Sequence, residues 1–524
     1  MGNLVGRFQD EVYPTGICNY EILCLPCVRT YSSLSIHGLN LGGCSMSVEN
    51  GDKVNGAASS KRRPKRLVFC FDGTWNKLVP DLATNVVLTA ASVERVDKDG
   101  TTQIIHYDEG VGTSDLDAAR GGMFGTGLIE NVREAYRFLV FNYDPGDEIY
   151  VFGFSRGAFS ARTFVGFLRH VGPLHRLHVG RIDEAIKLYE NRAQGKEGSG
   201  DAMRRFRADF SDKVCIGEAD DTWRCANKPG YESGSAPQLK VNYLGVWDTV
   251  GALGVPEIMP FSDWFNREHE FHDPSLDSFV QSARHAVAID ERRELFRPVL
   301  FGDLTELNKG IGCENNDGKA PYQERWFPGV HGSVGGGGDI RGLSDASLIW
   351  VLAGAKAAGL RLDSSVGTRI HGVNPNPLAP LVNEADPEWS ATSIFTDARE
   401  GPTELWQLAP SAIRRFRTPA EKLGGKLYRP ETLQHVEGEL DSLGIWDFDP
   451  PTDLVATEKV VMGDTLSKYA KRHYDDASKW PHIFDANQDR IDDPDEIFPG
   501  QNIRIPHLQN ESQAIDPVIE VKNV

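Results

Sequence analysis

At 524 residues the chain exceeds what one hydrophobic core usually supports, so two or more domains are expected. A formal net charge of −19 repels nucleic-acid backbones, which excludes nucleic acid as a partner, and leaves any membrane contact to local apolar or basic patches. No stretch approaches the roughly 18–20 consecutive apolar residues of a transmembrane segment, and eight cysteines are too few for a disulfide scaffold.

Residues 1–64 read as a poorly structured leader. Glu11, Pro14, Asn19 and Glu21 interrupt the apolar residues that a secretory signal would need, so the chain is expected to be made in the cytoplasm without a signal peptide. Cys24-Leu25-Pro26-Cys27 has the spacing of half a zinc site, but no second pair follows. Incidental thiols are the simpler reading, and Met46 is an alternative start. The Lys61–Arg66 basic cluster reads as a solvated segment before a strand.

From Leu67 the pattern changes. Leu67-Val68-Phe69-Cys70-Phe71 is a continuous apolar run ended by Asp72-Gly73-Thr74, as in a strand buried on both faces. Similar runs lie at 103–107, 148–154, 241–247 and 325–330. Helical spacing appears over 129–141, 156–171 and 343–358. Strands alternating with helices predict an α/β fold with a mostly parallel sheet flanked by helices. The catalytic domain is expected over 65–447, with a polar insertion near 190–240 and a lid or packing flap near 256–271. Cys215 and Cys225 within the insertion would pair only in an oxidising compartment. Asp447-Phe448-Asp449-Pro450-Pro451 signals a linker over 448–457, followed by a small unit over 458–507 and a tail over 508–524.

Gly153-Phe154-Ser155-Arg156-Gly157 sits between a buried strand and a helix. A serine hydroxyl is a weak nucleophile and needs a base, a group to orient that base, and donors for the developing oxyanion. A sharp strand-to-helix turn exposes such a serine, and Gly153 and Gly157 make room for its backbone. A Gly-Ser turn without chemistry is the bland alternative; the strand–turn–helix context argues against it. The order nucleophile, acid, histidine fits Ser155, Asp248 and His331, the last two each following a strand-like run. His272, in a loop, and His285, in a helical pattern, are rival bases. Asp290 is the rival acid, although Asp290-Glu291-Arg292-Arg293 reads first as a solvated cluster. The oxyanion donors expected are the backbone N–H groups of Arg156 and of Gly73 and Thr74. Asp72 is read as the group that shapes that loop. No metal or cofactor is expected.

These segments resemble a bacterial and fungal α/β-hydrolase domain family that includes type VI secretion phospholipase effectors. The resemblance runs from about Lys65 to Ala358. It rests on Phe71–Asn76, Tyr107–Thr113, Gly146–Ala158, Gly245–Gly251, Ala288–Arg293 and Trp326–His331. It implies a lipid or other carboxylic-ester substrate and carries a Ser–Asp–His triad onto Ser155, Asp248 and His331. In one respect the chain departs: His331-Gly332-Ser333 lacks the acidic neighbour that the family places after this histidine.

The terminal unit resembles a LysM module, through Val461–Leu466, Trp480, Ala486-Asn487 and Ile497–Pro506. That resemblance implies a βααβ fold and a peptidoglycan-type, N-acetylglucosamine-containing ligand near Gly463, Asp464, Thr465, Asn487, Pro499 and Gly500. A signal-less hydrolase with a wall-binding module fits an antibacterial effector exported by a dedicated secretion system to a target cell envelope, with a spike or adaptor protein as partner. The alternatives are a cytoplasmic carboxylesterase whose LysM unit is an interaction domain, and a catalytically silent glycan-binding protein.

Overall fold

The computed structural model describes residues 62–73, 83–110, 123–193, 198–251, 279–293, 296–363, 372–382 and 397–508. The leader, Thr74, the expected lid at 256–271 and the tail beyond 508 lie outside the described residues, as does the rival base His272.

Six strands form one sheet: β1 Arg66–Phe71, β2 Gln103–Asp108, β3 Glu148–Phe154, β4 Tyr243–Trp247, β5 Ala283–Ala288 and β6 Tyr322–Phe327. Their order is β2-β1-β3-β4-β5-β6, and every neighbouring pair is parallel. Parallel neighbours need crossover connections, and helices supply them. Among the described residues these are α1 Asn85–Ser92, α2 Met123–Asn142, α3 Arg156–Val171, α4 Ile182–Ala193, α5 Ser199–Phe210, α6 Gly217–Asn227 and α7 Thr305–Gly310, while α8 His331–Gly335 and α9 Gly342–Ala357 follow the last strand.

All six β1 residues are buried because both faces of the sheet are covered. Alternate side chains point to opposite sides. Leu67, Phe69 and Phe71 pack with Tyr136 and Leu139 of α2 and with Phe164 and Leu168 of α3. Val68 and Cys70 pack on the other side with Val86 of α1 and with Leu348 and Val351 of α9. The strand order turns back between β1 and β3, and a doubly wound sheet opens a crevice beyond the carboxyl ends of the two strands at such a switch point. Asp72 follows one of those ends and Ser155 follows the other.

Three local expectations need correction. The segment around His285 is strand β5, not helix, and it is buried along its whole length between β4 and β6. Its residues (Ala-Arg-His-Ala-Val-Ala) have no period that distinguishes a short buried strand from a helix. The insertion carries α5 and α6 and contributes Met203 and Phe206 to the core. Its Arg207 and Arg224 share Asp220, and Cys215 and Cys225 are both free thiols. The third correction is the Asp290–Arg293 cluster, which is not a solvated patch. Glu291 is 2% exposed, and Asp290 accepts hydrogen bonds from Gly329 N–H and the Tyr428 hydroxyl, both at 2.7 Å.

Residues 397–447 close the β5–β6 side of the sheet, with α10 Pro410–Arg417 and α11 Glu437–Ser442. Leu408, Ala412, Phe416, Leu433 and Val436 bury against Val287, Ile289 and Trp326. Beyond them, β7 Leu454–Lys459 pairs antiparallel with β8 Asn502–Pro506, and α12 Leu466–Tyr474 and α13 Trp480–Asp485 lie between the two strands. β7 begins inside the span expected as linker. This βααβ unit has its own core of Leu466, Tyr469, Ile483, Ile491, Ile503 and Ile505. It is also docked: Phe498 is 3% exposed within the apolar core of the six-stranded sheet, Gly372 N–H donates to Gly500 O at 3.1 Å, and Arg414 pairs with Asp492. Among the described residues no helix is long and apolar enough to cross a membrane.

Candidate active site

Ser155 stands at the junction of β3 and α3 with φ 59° and ψ −127°, a conformation that non-glycine residues rarely adopt. Its neighbours make the turn possible. A Cβ at Gly157 would lie 2.3 Å from Phe71 O and 2.4 Å from Asp72 O, and one at Gly153 would lie 2.6 Å from Gly157 O. Only glycine permits β1, the turn and α3 to approach this closely. Backbone bonds lock the junction to the next loop, with Ser155 N–H donating to Trp247 O at 3.0 Å and Val250 N–H to Ser155 O at 3.5 Å. Ser155 is 6% exposed.

Asp248 ends β4, also at positive φ (36°), and is fully buried. Its Oδ2 accepts from His331 Nδ1 at 2.6 Å, and its Oδ1 accepts from Ala288 N–H at 2.9 Å. Arg399 completes the set, donating through Nη1 to Oδ1 at 2.7 Å and through Nη2 to Oδ2 at 2.9 Å. Burial alone pushes the Asp248 carboxyl up. The Arg399 charge and the hydrogen bonds from His331 and Arg399 outweigh that effect and hold it well below the usual carboxylate range. Asp248 is therefore an anion, Nδ1 of His331 carries the proton, and Nε2 is left as the basic nitrogen.

His331 opens α8, and two aromatic rings fix its imidazole. Phe154, the residue before Ser155, lies 4.6 Å away between ring centroids, and Phe296 meets it edge-on at 4.9 Å. The backbone N–H of His331 donates to Glu291 Oε2 at 3.3 Å, and Glu291 is paired with Arg293 at 2.6 Å. The structure thus brings Asp248 and His331 into direct contact and sets both beside the Ser155 turn. The acidic neighbour missing after His331 is not needed to orient the ring, because Asp248 does so.

The rival His285 is a satisfied core residue. Nδ1 bonds Glu324 Oε2 at 2.8 Å and Nε2 accepts Thr249 N–H at 3.1 Å, which leaves neither nitrogen for chemistry. Asp72 shapes the loop after β1. Its carboxylate accepts from Thr84 Oγ1 (2.7 Å), the Tyr107 hydroxyl (2.8 Å) and Gly73 N–H (2.7 Å). The last bond corrects the expectation for Gly73, whose N–H is already engaged. The remaining loop donor expected, Thr74, lies outside the described residues.

In the terminal unit, Gly463 and Thr465 are exposed, and Thr465 caps α12 by accepting Lys468 N–H at 3.2 Å. Asp464 accepts from the Tyr469 hydroxyl at 2.5 Å and Val461 N–H at 3.0 Å. Asn487 is instead an internal brace. It is fully buried, donates to Ile483 O (2.7 Å) and Arg504 O (2.8 Å), and accepts Arg504 N–H (2.9 Å), so its amide is unavailable to a glycan. Pro499 and Gly500 stand on the side docked to the catalytic core.

Residues 65–354 match the family described as type VI secretion system phospholipase effector Tle1-like, catalytic domain. The chain belongs to this family. Residues 459–506 match the LysM domain. Among curated proteins, the chain is 26% identical over 283 residues to the uncharacterized protein YEL023C of Saccharomyces cerevisiae, covering 49% of this chain and 36% of that one. It is also 47% identical over 47 residues to the potassium binding protein Kbp of Escherichia coli, covering 9% of this chain and 32% of that one. The chain thus spans about a third of the length of each of these relatives. Two solved structures are similar at 18% identity. One is an uncharacterized protein from Pseudomonas aeruginosa (TM-score 0.31; 57% of this chain, 46% of that one). The other is a Tle1 effector bound to the VgrG spike of a type VI secretion system (TM-score 0.26; 52% and 51%). Neither likeness is close enough to carry an argument.

Arg399 was not foreseeable from sequence. It lies beyond the Tle1-like match, 151 residues from Asp248, in Asp397-Ala398-Arg399-Glu400, which has no motif spacing to any site residue.

Proposed function

We propose that this Tle1-like chain is a serine ester hydrolase acting on phospholipid-type carboxylic esters, with Ser155 as nucleophile, His331 as base and Asp248 as the acid that orients it. The observation that carries this reading is the buried Arg399–Asp248–His331 relay beside a strained serine at the switch point of the sheet. Ser155 Oγ attacks the ester carbonyl while His331 Nε2 takes its proton. The N–H groups of Arg156 and Thr74 receive the oxyanion. Collapse expels the alcohol, a lysolipid for a phospholipid substrate, and His331 returns the proton to it. Water, deprotonated by the same imidazole, then releases the fatty acid and restores Ser155.

The silent-protein alternative needs a relay broken behind His331, and the 2.6 Å contact to Asp248 gives it no support. The LysM unit binds N-acetylglucosamine-type glycan through the exposed Gly463–Thr465 turn. Export by a type VI machine, with a spike or adaptor protein as partner, is the part of this reading that only family membership supports.

The test is hydrolysis of p-nitrophenyl butyrate and release of lysophospholipid from phosphatidylethanolamine–phosphatidylglycerol vesicles. Ser155→Ala is expected to lose both by about 10⁴-fold or more, with peptidoglycan pulldown unchanged. Hydrolysis at the wild-type rate in that variant would sink the assignment.

A further inference from the structure

The Asp248 carboxylate accepts four hydrogen bonds, more than an acid needs merely to orient a histidine. Two come from the Arg399 fork, one from Ala288 N–H and one from His331. Asp248 is fully buried and Arg399 is 7% exposed, so the pair sits where a bidentate guanidinium–carboxylate contact fixes the carboxylate plane. Arg399 is itself held, donating to Ala288 O at 2.8 Å and Phe296 O at 2.6 Å. Ala288 and Phe296 are also tied to the relay. Ala288 N–H binds Asp248, and the Phe296 ring packs against His331. One side chain from outside the family-matched segment thus clamps the acid, the end of β5 and the residue that walls the imidazole.

The charged groups facing His331 are Asp248 with Arg399 from one side and Glu291 with Arg293 from the other, with Asp290 on the same loop engaged by Gly329 and Tyr428. Each of the two acids that touch His331 is neutralised by an arginine. A proton arriving on the imidazole therefore meets ion pairs and not a bare carboxylate. Removing Arg399 unmasks the Asp248 charge, which favours the protonated imidazole.

We propose that Arg399 is a positioning residue for the hydrolysis: it holds Asp248 with Oδ2 aimed at His331 Nδ1, and its charge offsets that of Asp248 beside the imidazole. This rests on the Ser155–His331–Asp248 reading. A brace that only held residues 397–447 to the sheet would affect folding without moving the pH profile.

The experiment follows hydrolysis of p-nitrophenyl butyrate by the full chain from about pH 5 to pH 9, across the range in which histidine titrates. Arg399→Gln is expected to lower kcat by about 10²-fold with KM within about twofold, and to move the acid limb of kcat/KM up by about one pH unit. Arg399→Lys keeps the charge but not the fork, so its limb stays near that of the wild type while kcat remains about tenfold down. Added guanidinium is expected to raise the rate of Arg399→Ala and not that of Ser155→Ala. An unmoved limb in a folded Arg399→Gln overturns the proposal, as does failure of guanidinium to act on a folded Arg399→Ala. If those variants do not fold, Arg399→Lys decides, and wild-type kcat in it overturns the proposal. Full activity in Ser155→Ala overturns the triad and this proposal together. Loss in Ser155→Ala with an unmoved Arg399→Gln profile overturns this proposal alone.

Discussion

The catalytic edge of the sheet and the terminal LysM unit both bury polar side chains, but they satisfy them over different distances along the chain. In the LysM unit the partners are near neighbours, with Asp464 bonding Tyr469 five residues on and Asn487 bonding Arg504 seventeen on. At the catalytic edge His331 and Asp248 are 83 residues apart, and Asp248 and Arg399 are 151 apart. The LysM unit also has its own apolar core, although Phe498 and Gly500 fasten it to the larger one. The catalytic edge has no such independence. Its charges are tolerable in the interior only while every partner is in place. A substitution at the edge should therefore cost function and stability together, whereas one in the LysM unit should cost local stability and leave hydrolysis alone.

The sharpest test of that contrast is Asp248→Asn. It leaves Arg399 buried without its anion and offers His331 Nδ1 an amide in place of a carboxylate. The expected loss is about 10⁴-fold in kcat, with a stability decrease of about 3–5 kcal/mol read from urea unfolding. The same variant tests the acid response. Because the folded-state pKa of Asp248 lies below its unfolded value of about 3.9, its contribution is fully present above that pH and is lost as pH falls toward the folded value. Wild type should therefore lose stability below about pH 4, and Asp248→Asn should lose less over the same interval. Equal acid responses would mean that Asp248 is not the group being titrated.

Gly157→Ala comes next. The new Cβ meets two backbone oxygens at 2.3 and 2.4 Å, and no flexible side chain can yield. Separation of the turn from β1 should lower kcat by at least tenfold and cost about 1–3 kcal/mol. Wild-type kinetics would show that the turn relaxes at no expense to Ser155.

The smallest effect is expected at the other pole of the comparison. Asn487→Ala removes three internal hydrogen bonds, at about 1–3 kcal/mol, and should lower the melting temperature while esterase kinetics at 25 °C stay within twofold of wild type. A parallel loss of esterase activity would mean that the docked LysM unit and the catalytic edge unfold as one, which would collapse the distinction.

Much of this molecule could be read in its residues. Continuous apolar runs marked β1 and β3, helical spacing marked α2, α3 and α9, and Gly-x-Ser-x-Gly between strand and helix marked the strained serine. The βααβ unit came from its resemblance to a LysM module, whose turns at Gly463-Asp464 and Pro499-Gly500 act within a few residues of their own positions. What failed was of another kind. β5 looked helical because Ala283–Ala288 is a strand only by virtue of lying between β4 and β6. Glu291 and Asp290 looked solvated because their partners, Arg293, Gly329 and Tyr428, close over them only in the folded chain. Asn487 looked like a ligand contact, and burial made it a brace.

Ser155 marks the boundary between the two. The strand–turn–helix pattern that marks its turn is local, whereas the clearance that requires glycine at 157 is set by Phe71 O and Asp72 O at the end of β1. Order along the chain already placed His331 after Ser155 and Asp248, and tertiary structure removed His285 as a rival, since both of its nitrogens are engaged while Nδ1 of His331 is held by Asp248. Arg399 belongs wholly to the second category. A guanidinium becomes part of a site when folding removes water from around its carboxylate, and no spacing along the chain records where that will happen.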